Sequence, residues 1–412
     1  MGLLHQQYVT ARMSTVWPYV IFSTSALCLA ITYVLYPWVC RCFARARPHP
    51  PVRHDDAPVP SVTIIIVAHN EAARLPKRIA NLVNSDYPPE KLQILIMDDG
   101  STDNTKMVLD SLINPQVRRL HLAERKGKPT ALNAGIAAST GEICIFGDAR
   151  QTFASDTVRR LATAFSSPEV GAVSGELEIA PGASTVGGGI GSYWEHERRL
   201  RSDEAAHDSC IGCTGACYAI RRSLFSPVPE DTLLDDVVIP LRIAADGYRI
   251  LHDRAALAYD EQPQDPEFEG RRKRRTLAGN FQMLFRYPAW LLPAGHRLWW
   301  RIIAHKYLRI IAPLMLLGTA ASSIALWPSP FYSAALCLQA LCYLLAVAGL
   351  ITRSNAKIFS WPAGFLFLNT MVVLAFFDYI TGRTSQKWAM HRNIGGKSVK
   401  KNSMLDSTER ER

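Results

Sequence analysis

Long apolar segments lie near both ends of the chain. Residues 16–40, 310–326 and 331–351 contain no charged side chain, and residues 359–380 contain one. Each segment is close to the roughly 20 residues that a helix needs to cross a bilayer core. We therefore predict one membrane helix over residues 16–40 and about three more within residues 306–382. A cleaved signal peptide is the alternative for the first segment, but a basic cluster follows it instead of a small-residue cleavage site.

Between these segments, short apolar runs alternate with polar turns and helical patterns. Residues 62–68 form a continuous β-branched run, which is typical of a strand buried on both faces. Residues 93–97 and 142–146 are further predicted strands. Residues 71–85 are a predicted helix that ends at the break around Pro88. This alternation predicts an α/β fold with a doubly wound sheet.

Residues 281–305, which follow this α/β pattern, have a composition unlike that of the α/β domain or the later apolar segments. They are apolar and aromatic, but they carry several charges and two prolines. Such a segment is too charged to span a membrane, so we predict helices that lie along its surface. The remaining predicted units are an N-terminal tail (1–15), a linker (41–60), the α/β domain (61–280) and a basic tail (383–412).

The net charge of +10 is concentrated beside the apolar segments. Arg41, Arg45 and Arg47 follow the first segment, and Lys306 and Arg309 precede the second. Basic flanks of this kind mark the cytoplasmic edge of a membrane and bind anionic lipids. No basic stretch is interleaved with aromatic residues in the way that stacks bases. The charge therefore indicates membrane lipids as partners and no nucleic acid.

Nine cysteines are scattered along the chain. Cys210, Cys213 and Cys217 are close in sequence, but no fourth ligand follows with the spacing of a zinc finger. We expect the last two to pack in a buried turn and strand. This usage suits a domain in the reducing cytosol.

Acidic or polar clusters follow the predicted strands. They are residues 69–71, 98–101 and 148–150, and a fourth cluster is centred on Asp235 and Asp236. The carboxyl ends of parallel strands meet at one edge of a sheet, where α/β folds bind ligands. These clusters therefore predict one shared site.

The ordered series of motifs resembles family 2 of the inverting glycosyltransferases, which transfer sugars from nucleotide donors. The resemblance covers residues 62–279, about half of the chain. It implies a GT-A type domain that binds a UDP-sugar donor.

The resemblance first implies a nucleotide subsite. Asp98 and Asp99 would contact the base and ribose, since carboxylates accept from N–H groups and sugar hydroxyls. Helix capping is the structural alternative for this turn. Asn70 and Glu71 belong to the same subsite by resemblance, and so does Lys128, whose alternative is an exposed basic loop.

The metal subsite departs from the family pattern. The family presents Asp-x-Asp, whereas this chain has Asp148-Ala149-Arg150. The resemblance implies that Asp148 holds Mg²⁺ or Mn²⁺ against the donor diphosphate. Alternatively, Arg150 pairs directly with phosphate or is a solvated surface charge.

The resemblance also implies a catalytic subsite with an adjoining acceptor side. Asp236 aligns with the general base, and Asp235 is its neighbour on the acceptor side. Arg275 matches an arginine that stabilises the leaving diphosphate, whereas Thr276 replaces the tryptophan that processive members stack on the acceptor. The acceptor side further includes Gly215, Ala216 and Arg272. A basic membrane-surface patch is the alternative for residues 269–279.

These features together predict a multi-pass protein of the inner (plasma) membrane with a cytoplasmic catalytic domain. Its expected reaction is the inverting transfer of a sugar from a UDP-sugar to a growing polysaccharide or another membrane-associated acceptor. Single addition to a lipid carrier or membrane lipid is the alternative, which Thr276 favours. A non-enzymatic transporter with a degenerate nucleotide domain is the alternative from another class. Trp388 in the tail is a candidate for a gating segment.

Overall fold

The computed structural model describes residues 2–50, 58–179, 187–260, 266–352 and 356–383. Residues 384–412, which include Trp388 and all of the basic tail except Arg383, lie outside the described residues, and so do the side chains of residues 2–15, 187–194 and 266–269.

One eight-stranded sheet forms the centre of the α/β domain, in the order β3-β2-β1-β4-β7-β6-β8-β5. The strands are β1 (Val62–Ala68), β2 (Leu92–Asp98), β3 (Val117–His121), β4 (Ile143–Asp148), β5 (Thr152–Phe153), β6 (Val170–Ile179), β7 (Tyr218–Arg221) and β8 (Arg249–Asp260).

The first four strands are parallel and give the sheet its predicted character. β1 is almost fully buried because helices cover both faces of the sheet, as its unbroken apolar run predicts. β7 then runs antiparallel to both β4 and β6, so the complete sheet is mixed. The predicted α/β class is confirmed.

The strand register places the acidic ends side by side. Ala68 pairs with Asp98, and Val67 pairs with Asp148. Because β1 lies between β2 and β4, both aspartates stand at the carboxyl edge of the sheet. The expectation that strand-end carboxylates meet at one edge is therefore met by the backbone alone.

Thirteen α-helices occur in the described residues, and short 3-10 or π segments join some of them. They are α1 (Gly2–Ala30), α2 (Tyr36–Ala46), α3 (Leu75–Val83), α4 (Thr105–Ser111), α5 (Lys128–Ala138), α6 (Thr157–Thr163), α7 (Gly187–His207), α8 (Asp235–Ala245), α9 (Pro266–Arg286), α10 (Trp299–Ile302), α11 (Leu308–Ala325), α12 (Pro330–Thr352) and α13 (Lys357–Ile380).

The first helix after β1 begins later than predicted. Residues 71–74 form a turn in which Arg74 donates to Glu71, and regular helix starts at Leu75. Asn70 has a φ of 56°, a left-handed conformation that Asn tolerates better than most residues. The turn closes when the Asn70 side chain accepts from the backbone N–H of Thr102 at 2.8 Å.

Four helices among the described residues are long and apolar enough to cross a membrane: Val16–Ala46, Trp299–Ala325, Pro330–Thr352 and Lys357–Ile380. The first continues through a π segment (Ile31–Leu35) to Ala46, so helix replaces the start of the predicted linker. Another π segment, Ile303–Tyr307, joins α10 to α11. Residues 299–305 of the region predicted as interfacial therefore belong to a continuous helix that is long and apolar enough to be a candidate span. The charge of Arg301 is accommodated there by the α/β domain, where it donates to the Ser209 carbonyl.

A buried ionic cluster joins the α/β domain to these helices. His305 contacts Glu204 of α7 at 2.7 Å through Nδ1 and Glu197 of α7 at 2.6 Å through Nε2. The Tyr36 hydroxyl donates to Glu204, and Arg309 donates to Glu197 at 2.6 Å. Since buried charges are costly unless paired, this cluster fixes α2 and α11 against α7.

The last apolar helix packs on α12 and also on α9 and α7. Asp378 of α13 forms an ion pair with Arg274 of α9 at 2.6 Å. The rings of Phe376 and Phe281 lie 5.3 Å apart, and Tyr379 stacks on Phe285. The C-terminal end of α13 therefore lies against α9.

Candidate active site

Three helix and strand ends bring Lys128 between two carboxylates. Asp148 ends β4, Asp235 begins α8 and Lys128 begins α5. The Lys128 ammonium lies 3.1 Å from Asp148 Oδ1 and 3.7 Å from Asp235 Oδ2. Gly127 permits this turn into α5, since its φ of 94° suits glycine.

Opposite charges set the ionisation of this group. Burial opposes both charged forms, but Lys128 and Arg150 lower the pKa of Asp148 to about 2. Asp148 and Asp235 in turn raise the pKa of Lys128 above its ordinary value, although burial acts in the other direction. Both groups are therefore charged at neutral pH.

Asp236 has a different environment from its neighbours. Burial and repulsion from Asp235 raise the pKa of Asp236 to about 6, although Lys128 and Arg275 oppose the shift. A Cβ at Gly215 would lie 2.7 Å from Asp236 Oδ2, so only glycine leaves room for this carboxylate. The result is a carboxylate that is ionised at neutral pH and basic enough to accept a proton.

Arg150 is held by an acidic partner that the sequence did not single out. Its Nε lies 3.0 Å from Asp260 Oδ2, and its nearest guanidinium nitrogen is 4.0 Å from Asp148. Gln151 Nε2 bridges the same carboxylates, at 3.4 Å from Asp148 and 3.2 Å from Asp260. Asp260 was missed because it ends β8, more than 100 residues away in sequence, and Gln151 was missed because its role depends on that distant carboxylate.

The nucleotide-subsite residues shape the adjoining turns. Asp98 accepts from the backbone N–H of Ser101 at 3.0 Å and contacts His121 at 2.9 Å. Asp99 is fully buried, and its carboxylate accepts from the backbone N–H groups of Lys126 and Gly127. These contacts order the loop that leads into Lys128. Asn70 and Glu71 support the same turns, and none of these four predicted residues lines the cavity described below.

α9 brings its basic residues to the same site. Arg272 and Arg275 line the cavity together with Asp235 and Asp236, and Thr276 is exposed beside them. Arg242, in contrast, points away and donates to the Pro227 carbonyl at 2.8 Å. It therefore fixes the loop before α8 and does not touch the carboxylates.

A cavity of about 860 Å³ connects this site to the apolar helices. Its polar end contains Lys128, Asp148, Arg150 and the Asp235–Asp236 pair, and Gly215 and Ala216 form part of the wall. Its other walls come from Tyr33, Lys306, Ile310, Trp361, Phe365 and Val372. One continuous space thus joins the carboxylates to side chains of α11 and α13.

The site offers limited ligation for a divalent cation. No group of three or more His, Cys, Asp or Glu side chains able to hold a metal occurs in the part of the chain that the structure describes. Asp148, about a third exposed and facing the cavity, supplies a carboxylate. A single carboxylate suits Mg²⁺ that also keeps waters and substrate phosphate oxygens. A metal at Asp148 would therefore need the donor diphosphate for further ligands, and it would compete with Lys128, which lies 3.1 Å from Asp148 Oδ1.

The sheet order, the acidic strand ends and the cavity define an α/β domain with a polar site at the carboxyl edge of its sheet. Residues 63–228 match the family model described as Glycosyl transferase family 2, and residues 147–351 match the model described as Glycosyl transferase family group 2. The chain therefore carries a family 2 glycosyltransferase domain, as its motifs predicted.

Several proteins named as glycosyltransferases or glycolipid synthases match parts of the chain. It is 25% identical over 58% of its length to the probable glycosyltransferase YdaM of Bacillus subtilis. It is 31% identical over 40% of its length to an N-acetylglucosaminyltransferase of Rhizobium meliloti, and 36% identical over 32% to a beta-monoglucosyldiacylglycerol synthase of Synechocystis. The chain spans 60%, 40% and 29% of these relatives, respectively.

A solved structure supports the fold over nearly the whole chain. The mannosyltransferase PcManGT of Pyrobaculum calidifontis, determined in complex with GDP-Man and Mn²⁺, superposes with a TM-score of 0.63 at 22% identity. The match covers 88% of this chain and 99% of that one. The α/β domain therefore has the GT-A fold.

Proposed function

We propose that this protein is a membrane-anchored inverting glycosyltransferase that adds a sugar from a UDP-sugar to a lipid acceptor. The observation that carries the proposal is the cavity that joins Asp236 to α11 and α13. An acceptor with apolar chains could place a hydroxyl at the carboxylate while its chains remain among these helices.

The reaction follows from the placement of charge. Asp236 accepts the proton of the acceptor hydroxyl, and the resulting oxygen attacks the anomeric carbon of the donor. The bond from that carbon to the diphosphate breaks on the opposite face, and its electron pair leaves with UDP. The anomeric configuration is thereby inverted. A base in this position contributes about 10²–10⁴-fold to the rate.

The cations of the site stabilise the leaving group. We assign this role to Lys128 and Arg275, which line the cavity and act on both Asp148 and Asp236. Mg²⁺ or Mn²⁺ held by Asp148 would add neutralising charge to the same phosphates. We assign the base and ribose to the turns that Asp98 and Asp99 order.

Polysaccharide synthesis is the second candidate. The combination of a transferase domain with apolar helices favours it, as does the match to an N-acetylglucosaminyltransferase. Thr276, which lacks an aromatic face, favours single addition instead. The match to a beta-monoglucosyldiacylglycerol synthase also agrees with a lipid acceptor.

The test is incubation of membranes containing the protein with a panel of radiolabelled nucleotide sugars. We expect label in the lipid extract, and none in membranes that contain the Asp236→Asn variant. Label in a polymer would favour the second candidate. No transfer with any donor would favour a non-enzymatic membrane protein.

The proposed location is the inner (plasma) membrane, with several crossings and the catalytic domain in the cytoplasm. Nucleotide sugars are made in the cytoplasm. Arg41, Arg45 and Arg47 follow the uncharged part of the first candidate span, and such a basic cluster favours the cytoplasmic side for the domain that comes after it.

A further inference from the structure

Lys306 is a cation in the cavity wall that the catalytic scheme does not use. It lies on the π segment Ile303–Tyr307, and π segments inside α-helices often occur at functional sites. The second π segment, Ile31–Leu35, supplies Tyr33 to the same cavity. Two irregular turns from different helices thus border one space.

The neighbours of Lys306 are already paired, whereas Lys306 is not. His305 and Arg309 both contact Glu197 at 2.6 Å. In the described parts of the chain, no carboxylate lies within 4 Å of the Lys306 ammonium, and the two glutamates that act on it from farther away, Glu197 and Glu204, are already paired with His305 and Arg309. A partly buried cation without a close partner is costly unless an anion binds to it. The position therefore favours a negatively charged ligand.

Lys306 belongs to the acceptor side of the site. It lines the cavity with Asp236 and acts on that carboxylate, although less strongly than Lys128 and Arg275 do, and it is not among the cations that act most strongly on Asp148. Lys306 also lies just before the uncharged segment 310–326 of the candidate span Trp299–Ala325, and a cation at the edge of an apolar segment is suited to contact lipid headgroups. An anion at Lys306 would therefore be a group of the acceptor lipid and not of the donor.

The chemistry of the acceptor follows from Lys306 and Asp236 together. A lipid phosphomonoester is largely ionised at neutral pH and needs no base to become a nucleophile. A base is needed when the nucleophile is a hydroxyl. The lipid that uses both residues carries a phosphate and, close to it, a free hydroxyl.

We propose that Lys306 binds the phosphate of a phospholipid acceptor whose headgroup has a free hydroxyl, which Asp236 deprotonates. This inference rests on the proposed lipid-directed function and adds the chemical class of the acceptor. The acyl chains would lie against Ile310 of α11 and against Phe365 and Val372 of α13, which line the apolar end of the cavity.

The test uses the purified full-length protein in nanodiscs with the radiolabelled nucleotide sugar that gives transfer. The acceptor probes are phosphatidylglycerol, with phosphate and hydroxyls; diacylglycerol, with a hydroxyl only; and a polyisoprenyl phosphate, with phosphate only. We expect phosphatidylglycerol to be used at least tenfold better than either. No variant is needed for this comparison.

Substitution of Lys306 then tests the residue. Lys306→Gln should raise the KM for phosphatidylglycerol about 10- to 100-fold, the effect of losing a hydrogen bond to a charged group, with the donor KM unchanged. Lys306→Arg should retain most of the affinity. Lys357→Gln is the matched control, since Lys357 is exposed at the start of α13 and does not line the cavity.

Each of the other possible results contradicts one specific part of the proposal. Equal use of diacylglycerol, with no effect of Lys306→Gln, removes the phosphate site but leaves the lipid-directed function. A raised donor KM in Lys306→Gln assigns the residue to the donor. Exclusive use of polyisoprenyl phosphate removes the hydroxyl requirement. Label in polymer alone, with every lipid unlabelled, refutes the proposed function and this inference together.

Discussion

Replacement of Asp236 by Asn separates catalysis from folding. Asn has nearly the same size as Asp, so the close approach to Gly215 is retained. It is neutral and cannot accept the acceptor proton as a carboxylate does. We expect Asp236→Asn to reduce transfer by about 10²–10⁴-fold, the contribution of a positioned general base, while UDP binding is kept.

The pH dependence of the wild type gives an independent measure of the same residue. Because the pKa of Asp236 is raised to about 6, its base form is lost as the pH falls through that value. The kcat/KM of the wild type should therefore fall about tenfold per pH unit below about pH 6. The residual activity of Asp236→Asn should lack this limb.

The Asp236→Asn variant should be less active than the wild type but more stable to thermal unfolding at high pH. The raised pKa means that the folded protein holds the proton more tightly than the unfolded chain, so the charged form destabilises the fold above about pH 6. That cost is absent below the ordinary pKa of Asp. A shift of about two pH units corresponds to about 3 kcal/mol. Asp236→Asn should therefore have a higher Tm than the wild type at pH 8 and no advantage near pH 3.

The assay combines transfer kinetics, UDP binding by calorimetry and thermal unfolding in detergent across pH. Near-normal turnover of Asp236→Asn would remove Asp236 from the base role, and Asp235 would be the next candidate. A loss of UDP binding in the variant would mean that Asp236 supports the donor subsite instead.

Further substitutions test the rest of the site. Asp148→Ala should lose donor binding, and EDTA should abolish wild-type activity until Mg²⁺ or Mn²⁺ is restored; full activity in EDTA would exclude a metal requirement. Asp235→Asn removes the like charge beside Asp236, so the acid limb of the pH profile should move below pH 6, and an unchanged limb would contradict the coupling. Gly215→Ala displaces the Asp236 carboxylate and should reduce kcat at least tenfold. Gly270→Ala is the matched control and should leave kcat unchanged, because a Cβ at Gly270 would meet no atom within 4 Å.

The sequence predicted the centre of the fold because its signal is local. The unbroken apolar run of β1 and the polar residues that follow β2 and β4 are visible in single segments. Their meeting at one edge follows from parallel pairing, which needs no side-chain information. The placement of Asp98 and Asp148 was therefore predictable.

The parts that the sequence did not predict depend on distant contacts. Asp260 reaches Arg150 only because β8 pairs with β5 and β6 across the sheet. The contact of Gly215 with Asp236 needs the exact path of two loops. The cavity needs α9, α11 and α13 to pack together, and apolar composition alone cannot show which helices border a polar site.

The position of α13 is a further case in which tertiary contacts change the interpretation. The sequence favours three crossings after the α/β domain, which leaves the tail outside despite its lysines and arginines. In the structure, α12 begins beside Phe22 of α1 and runs antiparallel to α11. Its C-terminal end, at Gly349, contacts Phe359 at the start of α13. α13 then ends at Arg274 of α9, on the α/β domain.

Both ends of α13 thus lie on the catalytic side, and we infer that this helix follows the membrane interface and does not cross. On this inference the chain would cross three times in total and the basic tail would be cytosolic, in agreement with the excess of positive charge on cytoplasmic segments. In a cysteine-free protein, Lys400→Cys should react with an impermeant maleimide only after the membrane is opened. Ser329→Cys, between α11 and α12, should react in intact cells and is the matched control. Reaction of Lys400→Cys in intact cells would mean that α13 crosses after all, because only a fourth crossing brings the tail outside.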